Sequence, residues 1–210
     1  LVFVFFLKET PSRTKRPSIK QTLSLFKNKD VILLSVISLI TQVISFGAAT
    51  TFTQVAAENL GADSFTLGMI TVVYFGATAA FSFFVGSKVY KKIGGVNCLA
   101  ISFIVGAVSC VPQFYHINMG MIYFMQVLSG VCYGIGSSAL AGLVIRAVTP
   151  ENKGGATGIF QSIYGVGILL GPLLAGILTD AMSFDFAYMV FFVICLVTAL
   201  LCKVCINTKF

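Results

Sequence analysis

The chain has 210 residues, of which 57% are hydrophobic and 10% charged, with a mean hydropathy of +0.96. Soluble domains carry roughly 25% charged residues, so a water-soluble fold is excluded and lipid must be the solvent for most of the surface. The net charge of +7 is spread over connections between apolar blocks, which argues against a nucleic-acid partner and for basic loops kept on one side of a bilayer.

The first run, Leu1 to Leu7, falls short of the roughly 20 residues that a spanning helix needs. No basic segment precedes it and no cleavage site follows it, so residues 1–7 read as the end of a preceding transmembrane helix. Residues 8–30 form a basic connection with Pro11 and Pro17, in which Ile19 to Phe26 suits a short amphipathic helix on the membrane surface. Apolar stretches follow at approximately 31–57, 67–87, 96–113, 120–145, 155–179 and 186–205. They predict an all-α integral membrane fold, a six-transmembrane-helix bundle over 31–205 with a tail at 206–210. No stretch has a charge near its middle, where one costs about 2.5–3.5 kcal/mol. The alternating strands of a membrane β-barrel are absent from the pattern.

Every Lys and Arg falls in residues 8–30, in the second-to-third connection (Lys88, Lys91, Lys92), in the fourth-to-fifth (Arg146, Lys153) or in the tail (Lys203, Lys209). The opposite connections carry Glu58, Asp63, Asp180 and Asp185. The positive-inside rule therefore places both ends in the cytoplasm, with the plasma membrane as the expected location. The six cysteines sit in or beside apolar runs without disulfide or zinc spacing. No metal site or cofactor is expected. His116 reads as a solvated loop residue, Ser137 has no base to activate it, and no phosphate-binding loop is present. An enzyme is not expected.

The fifth stretch holds Gly167, Gly171, Pro172, Ala175 and Gly176. Pro172 removes a backbone donor and predicts a bend, while small residues at every fourth position predict a close helix contact. The fourth stretch has a similar stripe at Gly130, Gly134, Ser138 and Gly142. Uncharged polar residues also line up at helical spacing of about 3.6 residues per turn. Ser38, Thr41, Gln42, Ser45, Ala49 and Thr53 lie on the first stretch, and Thr71, Tyr74, Thr78 and Ser82 on the second. The fourth adds Gln126, Ser129, Tyr133 and Ser137, and the fifth adds Thr157, Gln161 and Tyr164. Such lines either bond neighbouring helices or share a polar cavity. The third and sixth stretches have few polar residues and read as lipid-facing supports.

The run from Gly167 to Gly176 resembles the Gly-Pro signature that antiporters of the major facilitator superfamily carry in the fifth helix of their first half. Here it would lie in the pseudo-symmetric eleventh helix, with Ala175 in place of a Gly. Thr149 to Gly158 looks like that family's connection between the tenth and eleventh helices. Gly86 to Gly95 resembles its basic loop, with Tyr90 near the place of the usual Asp; Lys88, Lys91 and Lys92 there are read as positive-inside retention. The resemblance implies the C-terminal half of a twelve-helix secondary transporter, working with a missing N-terminal half. It implies alternating-access movement of a small solute through a pathway against these helices. Gln42, Ser45, Tyr74, Gln126, Tyr133, Gln161 and Tyr164 are the pathway candidates, and Gly167, Gly171, Pro172 and Gly176 the hinge and packing candidates. The uncharged lines fit sugars or drug-like compounds. The rival readings are a membrane domain of an ATP-driven exporter and a non-transporting scaffold or receptor.

Overall fold

The computed structural model describes residues 19–85, 89–111 and 118–206, except for the side chains of residues 19–21. Residues 1–7, the 8–18 part of the basic connection, Lys88, Pro112, His116 and Lys209 lie outside the described residues.

The first described helix, α1 (Ile19–Ser24), continues into a 3-10 turn at Leu25–Lys27. Leu25 is buried, and its side chain and that of Thr22 close over Gly155. The first span is composite: α2 (Lys29–Ile44), a π-helical segment (Ser45–Phe52) and α3 (Thr53–Asn59). Next come α4 (Ser64–Phe84), the short α5 (Tyr90–Ile93), α6 (Gly95–Cys110) and α7 (Met119–Arg146). A 3-10 turn at Pro150–Asn152 leads into α8 (Lys153–Ala181), and α9 (Phe184–Cys205) ends the bundle. No strand occurs among the described residues. Among the described residues, five segments are long and apolar enough to cross a membrane: Lys29–Asn59, Ser64–Phe84, Met119–Arg146, Pro150–Ala181 and Phe184–Cys205. The apolar α6 is shorter, at 16 residues.

Local sequence fixes where the helices start. Side-chain oxygens of Asn28, Asp63, Asn118 and Ser183 accept the amide hydrogens of Val31, Thr66, Met121 and Phe186 respectively. Each satisfies a donor that the first turn leaves without an intrahelical partner. Bonds from the Thr66 hydroxyl and amide hold the Asp63 carboxyl below its ordinary range. Gly61 and Gly94 turn the chain with φ of +83° and +81°, a region that side chains with a Cβ rarely enter.

Packing follows the small-residue stripes. A Cβ on Gly167 would stand 2.5 Å from the Leu39 carbonyl oxygen, and one on Gly171 would stand 3.0 Å from the Gly47 nitrogen. α8 therefore lies directly on the first span. Gly176 does not join this contact, because nothing lies within 4 Å of its Cβ position. A Cβ on Gly130 would meet the Tyr74 carbonyl oxygen at 2.5 Å, and one on Gly134 the Thr78 carbonyl oxygen at 2.6 Å. That stripe seats α7 on α4.

The third stretch packs more deeply than a purely lipid-facing support, while keeping one open apolar face at Ile101, Ile104 and Val108. α6 packs against both α7 and α9 and buries most of its length, including Cys98, Leu99, Ser102, Phe103 and Ala107. Its small Gly, Ala, Ser and Cys side chains admit neighbours on two sides. α4 has far more apolar surface on its outside, with Phe65, Val72 and Phe83 exposed, and α8 exposes Leu169, Leu173 and Ile177. All six cysteines are free.

Candidate functional site

The π-helical segment is the most irregular part of the first span. Its wider turn closes hydrogen bonds over five residues instead of four, as from the Thr53 amide to the Ala48 carbonyl oxygen. Side chains supply further donors to its carbonyls. The hydroxyls of Thr50 and Thr51 both donate to the Phe46 oxygen, at 2.8 and 2.7 Å, and the Thr53 hydroxyl donates to the Ala48 oxygen at 3.0 Å. From α7, Gln126 Nε2 donates to the Ala49 oxygen at 2.7 Å. Inside a bilayer no water replaces a missing partner, so these bonds allow the irregular turn to exist.

Just beyond this segment the polar lines of three helices meet. A cavity of about 320 Å³ is lined by Ser38, Thr41 and Gln42 of α2, by Tyr133, Ser137 and Ser138 of α7, and by Phe160, Gln161 and Tyr164 of α8, among others. A chain of hydrogen bonds crosses it. Gln42 Nε2 donates to the Tyr133 hydroxyl at 3.2 Å, and the Tyr133 and Tyr164 hydroxyls lie 2.7 Å apart. The rings of Phe160 and Tyr164 stand side by side, with centroids 6.3 Å apart. No Asp, Glu, Lys, Arg or His lines the cavity.

A smaller hole of about 20 Å³ lies next to it, bounded by Thr41, Ser45, Ser109, Ser129, Cys132 and Tyr133 among others. That is room for about one water molecule. Thr41 and Tyr133 line both spaces.

The sequence candidates separate into two groups. Gln42, Tyr133, Gln161 and Tyr164 surround the larger cavity, and Ser45 borders the smaller one. Tyr74 and Gln126 line neither, although they were candidates for the pathway. Tyr74 is 2% exposed and its hydroxyl lies 2.6 Å from the Ser45 hydroxyl, while Gln126, also 2% exposed, braces the π segment. Their bonds run between helices. Sequence reasoning missed Phe160, whose position four residues before Tyr164 puts it on the same face of α8. Lys91 and Lys92 sit on α5 at the basic end of the bundle, away from the cavity.

Hydroxyl and amide groups offer donors and acceptors to the cavity, and two aromatic rings tilted by 40° add apolar surface. No nucleophile–base pair is present among the lining residues.

Comparison with known proteins adds an independent line. A family model described as Major Facilitator Superfamily matches residues 34–208. The chain is 24% identical over 163 residues to a D-arabinitol transporter of Klebsiella pneumoniae, covering 76% of this chain and 38% of that protein. It is 25% identical over 169 residues to the class H tetracycline resistance protein of Pasteurella multocida, covering 76% of this chain and 41% of the relative. It is also 25% identical over 149 residues to multidrug resistance protein 3 of Bacillus subtilis (strain 168), covering 67% and 27%. The chain thus spans about two fifths of the length of the first two relatives.

Proposed function

The chain belongs to the Major Facilitator Superfamily, and from that premise we propose that it supplies one six-helix half of a secondary transporter that moves a small uncharged solute by alternating access. It is an integral, multi-pass membrane protein. The observation that carries the reading is the charge-free cavity of about 320 Å³ crossed by the Gln42–Tyr133–Tyr164 bonds. Gln161 and Ser45 complete the polar surface on either side, and Gln126 and Tyr74 hold the helices that carry it. The basic ends, including Lys91, Lys92 and Lys203, face the cytoplasm, with the plasma membrane as the location.

The exposed apolar faces of α4 and α8 fit a partner half that precedes residue 30 in the same polypeptide. Alternating access then consists of one half rocking against the other around the cavity. Sugar alcohols and amphiphilic drugs fit its mixture of hydroxyls and aromatic wall, and the names of the relatives point to the same range. Neither ATP hydrolysis nor covalent chemistry is part of the mechanism.

The test is flux into proteoliposomes that contain the full protein, with a panel of labelled pentitols, hexoses and amphiphilic drugs. Saturable movement of at least one, absent from empty liposomes, is the expected outcome. A monodisperse protein that moves no member of the panel, with or without an ion gradient, would sink the proposal in favour of a non-transporting scaffold. Flux only with added ATP and a partner protein would favour an exporter domain.

A further inference from the structure

The outer surface of the bundle has several grooves, and one differs in kind. The groove at Ala80, Phe81 and Phe84 and the one at Phe186, Met189, Val190, Val193 and Ile194 are lined by apolar residues alone. The groove between α6 and α9 has a volume of about 430 Å³ and is lined by Ile93, Asn97, Ala100, Ile101, Ile104 and Lys203. Ile101 and Ile104 are 42% and 50% exposed, so its floor is open apolar surface. A cation stands over one end of that floor.

The cation is held in place. Lys203 Nζ donates to Asn97 Oδ1 at 2.5 Å, and Asn97 Nδ2 donates to the Ile93 carbonyl oxygen at 2.6 Å. This chain of bonds keeps the ammonium at the mouth of the groove. An ammonium has three donors and Asn97 uses one, which leaves two for another acceptor. Lys91 and Lys92 are exposed on the same short helix as Ile93 and add positive field. No Asp or Glu lines the groove.

We propose that the groove between α6 and α9 binds an anionic phospholipid, with its phosphate on Lys203 and Asn97 and an acyl chain along Ile101 and Ile104. The arrangement matches an amphiphile with a negative head and a long apolar tail. A free phosphate would leave the apolar floor uncovered, and a zwitterionic lipid would bring a quaternary ammonium among Lys91, Lys92 and Lys203. Basic grooves between helices at a membrane surface select anionic head groups on this principle. The assignment does not depend on which solute the protein carries.

The test uses the full protein, purified in mild detergent and titrated with phosphatidylglycerol or phosphatidylcholine of identical chains while bound lipid is counted by native mass spectrometry. Wild type should favour phosphatidylglycerol. Lys203→Gln should reduce that preference about five-fold, the equivalent of roughly 1 kcal/mol for one lysine at the surface. Lys203→Arg should keep it, which separates loss of charge from misfolding. Lys153→Gln, whose side chain lies elsewhere, should leave it unchanged, and Ile104→Trp should reduce binding of both lipids by filling the floor. Equal binding of the two lipids to wild type would overturn the proposal. So would an undiminished preference in Lys203→Gln, or displacement of the bound lipid by millimolar inorganic phosphate alone.

Discussion

The hydroxyls of Tyr133 on α7 and Tyr164 on α8 lie 2.7 Å apart, and Gln42 on the first span donates to the Tyr133 hydroxyl at 3.2 Å. Tyr133 is therefore the residue through which three helices exchange hydrogen bonds at the cavity. Tyr133→Phe removes both bonds while keeping the ring. Each bond contributes about 1 kcal/mol to holding the cavity wall in place, so losing both should raise the half-saturating solute concentration by up to roughly thirty-fold. Tyr164→Phe, which breaks one bond, should have a smaller effect. The check is concentration-dependent flux normalised to protein in the membrane, and equal kinetics in both variants would remove Tyr133 from the site.

The close contact between α8 and the first span makes a sharper prediction about stability. At Gly167 a Cβ would lie 2.5 Å from the Leu39 carbonyl oxygen and 2.8 Å from Gln42 Cβ. Both neighbours belong to the facing helix, and one is backbone, so α8 must move as a whole. Gly167→Ala should destabilise by about 1–3 kcal/mol. Gly176→Ala, with nothing within 4 Å, should be neutral or slightly stabilising. Thermal unfolding of the two variants in one detergent measures the difference, and equal midpoints would show that the helices are further apart than described.

How legible this arrangement is in the sequence depends on the feature. Glycines at fourth-residue spacing mark a bare helix face whatever its partner, so both stripes can be read in advance. Their partners cannot, because only the fold pairs Gly130 with Tyr74 and Gly167 with Leu39. The polar lines are legible for the same periodic reason. Whether a polar side chain meets a cavity or a neighbouring helix depends on tertiary pairing, which is why Tyr74 and Gln126 turn inward beside the residues that line the cavity. The depth of α6 is hidden because Cys, Ala and Ser are ordinary in any membrane helix. The π segment is hidden too, since Thr50, Thr51 and Thr53 look like any polar residues until their bonds to Phe46 and Ala48 are seen.

The π segment should be sensitive to loss of its side-chain donors. Gln126→Leu leaves the Ala49 carbonyl without its 2.7 Å partner in a buried setting. A buried polar group left unsatisfied costs about 1–3 kcal/mol, so the unfolding midpoint should fall. Gln126→Met, which keeps the length of the side chain but offers no donor to that carbonyl, should be no better. The same measurement on Gln161→Leu provides contrast, because Gln161 is exposed to the cavity. A larger loss of stability in Gln161→Leu would mean that the brace at Ala49 is unimportant.

The orientation proposed for the bundle predicts a labelling pattern. Single cysteines at Asp63 and Asp180, introduced into a cysteine-free background, should react with an impermeant thiol reagent applied to intact cells. Cysteines at Lys91 and Lys153 should react only after the cells are opened. The positive-inside distribution is the physical ground for both halves of the pattern. The reverse pattern would invert the topology, and reaction at all four sites before opening would mean that the reagent enters.

The last prediction separates a bend from a spacer in α8. Pro172 lies inside this 29-residue helix, directly after Gly171, whose Cβ position stands 3.0 Å from the Gly47 nitrogen and the Val43 carbonyl oxygen. Proline has no amide hydrogen, so the Ile168 carbonyl one turn earlier loses its usual donor, and the ring presses on that turn. The weakened turn therefore lies beside the π segment, where the first span is irregular as well. In the proposed mechanism these two adjacent irregular turns, at one level, are where the half would flex. Pro172→Ala restores the donor, and folding stability should hold or rise by up to about 3 kcal/mol. Solute flux should fall despite that gain, because a stiffer α8 biases the equilibrium between access states. Gly171→Leu should lower stability and flux together, since it opposes the contact with Gly47 in any state. Flux and unfolding measured on the same preparations distinguish the two effects, and a Pro172→Ala variant with both undiminished would leave Pro172 as a spacer only.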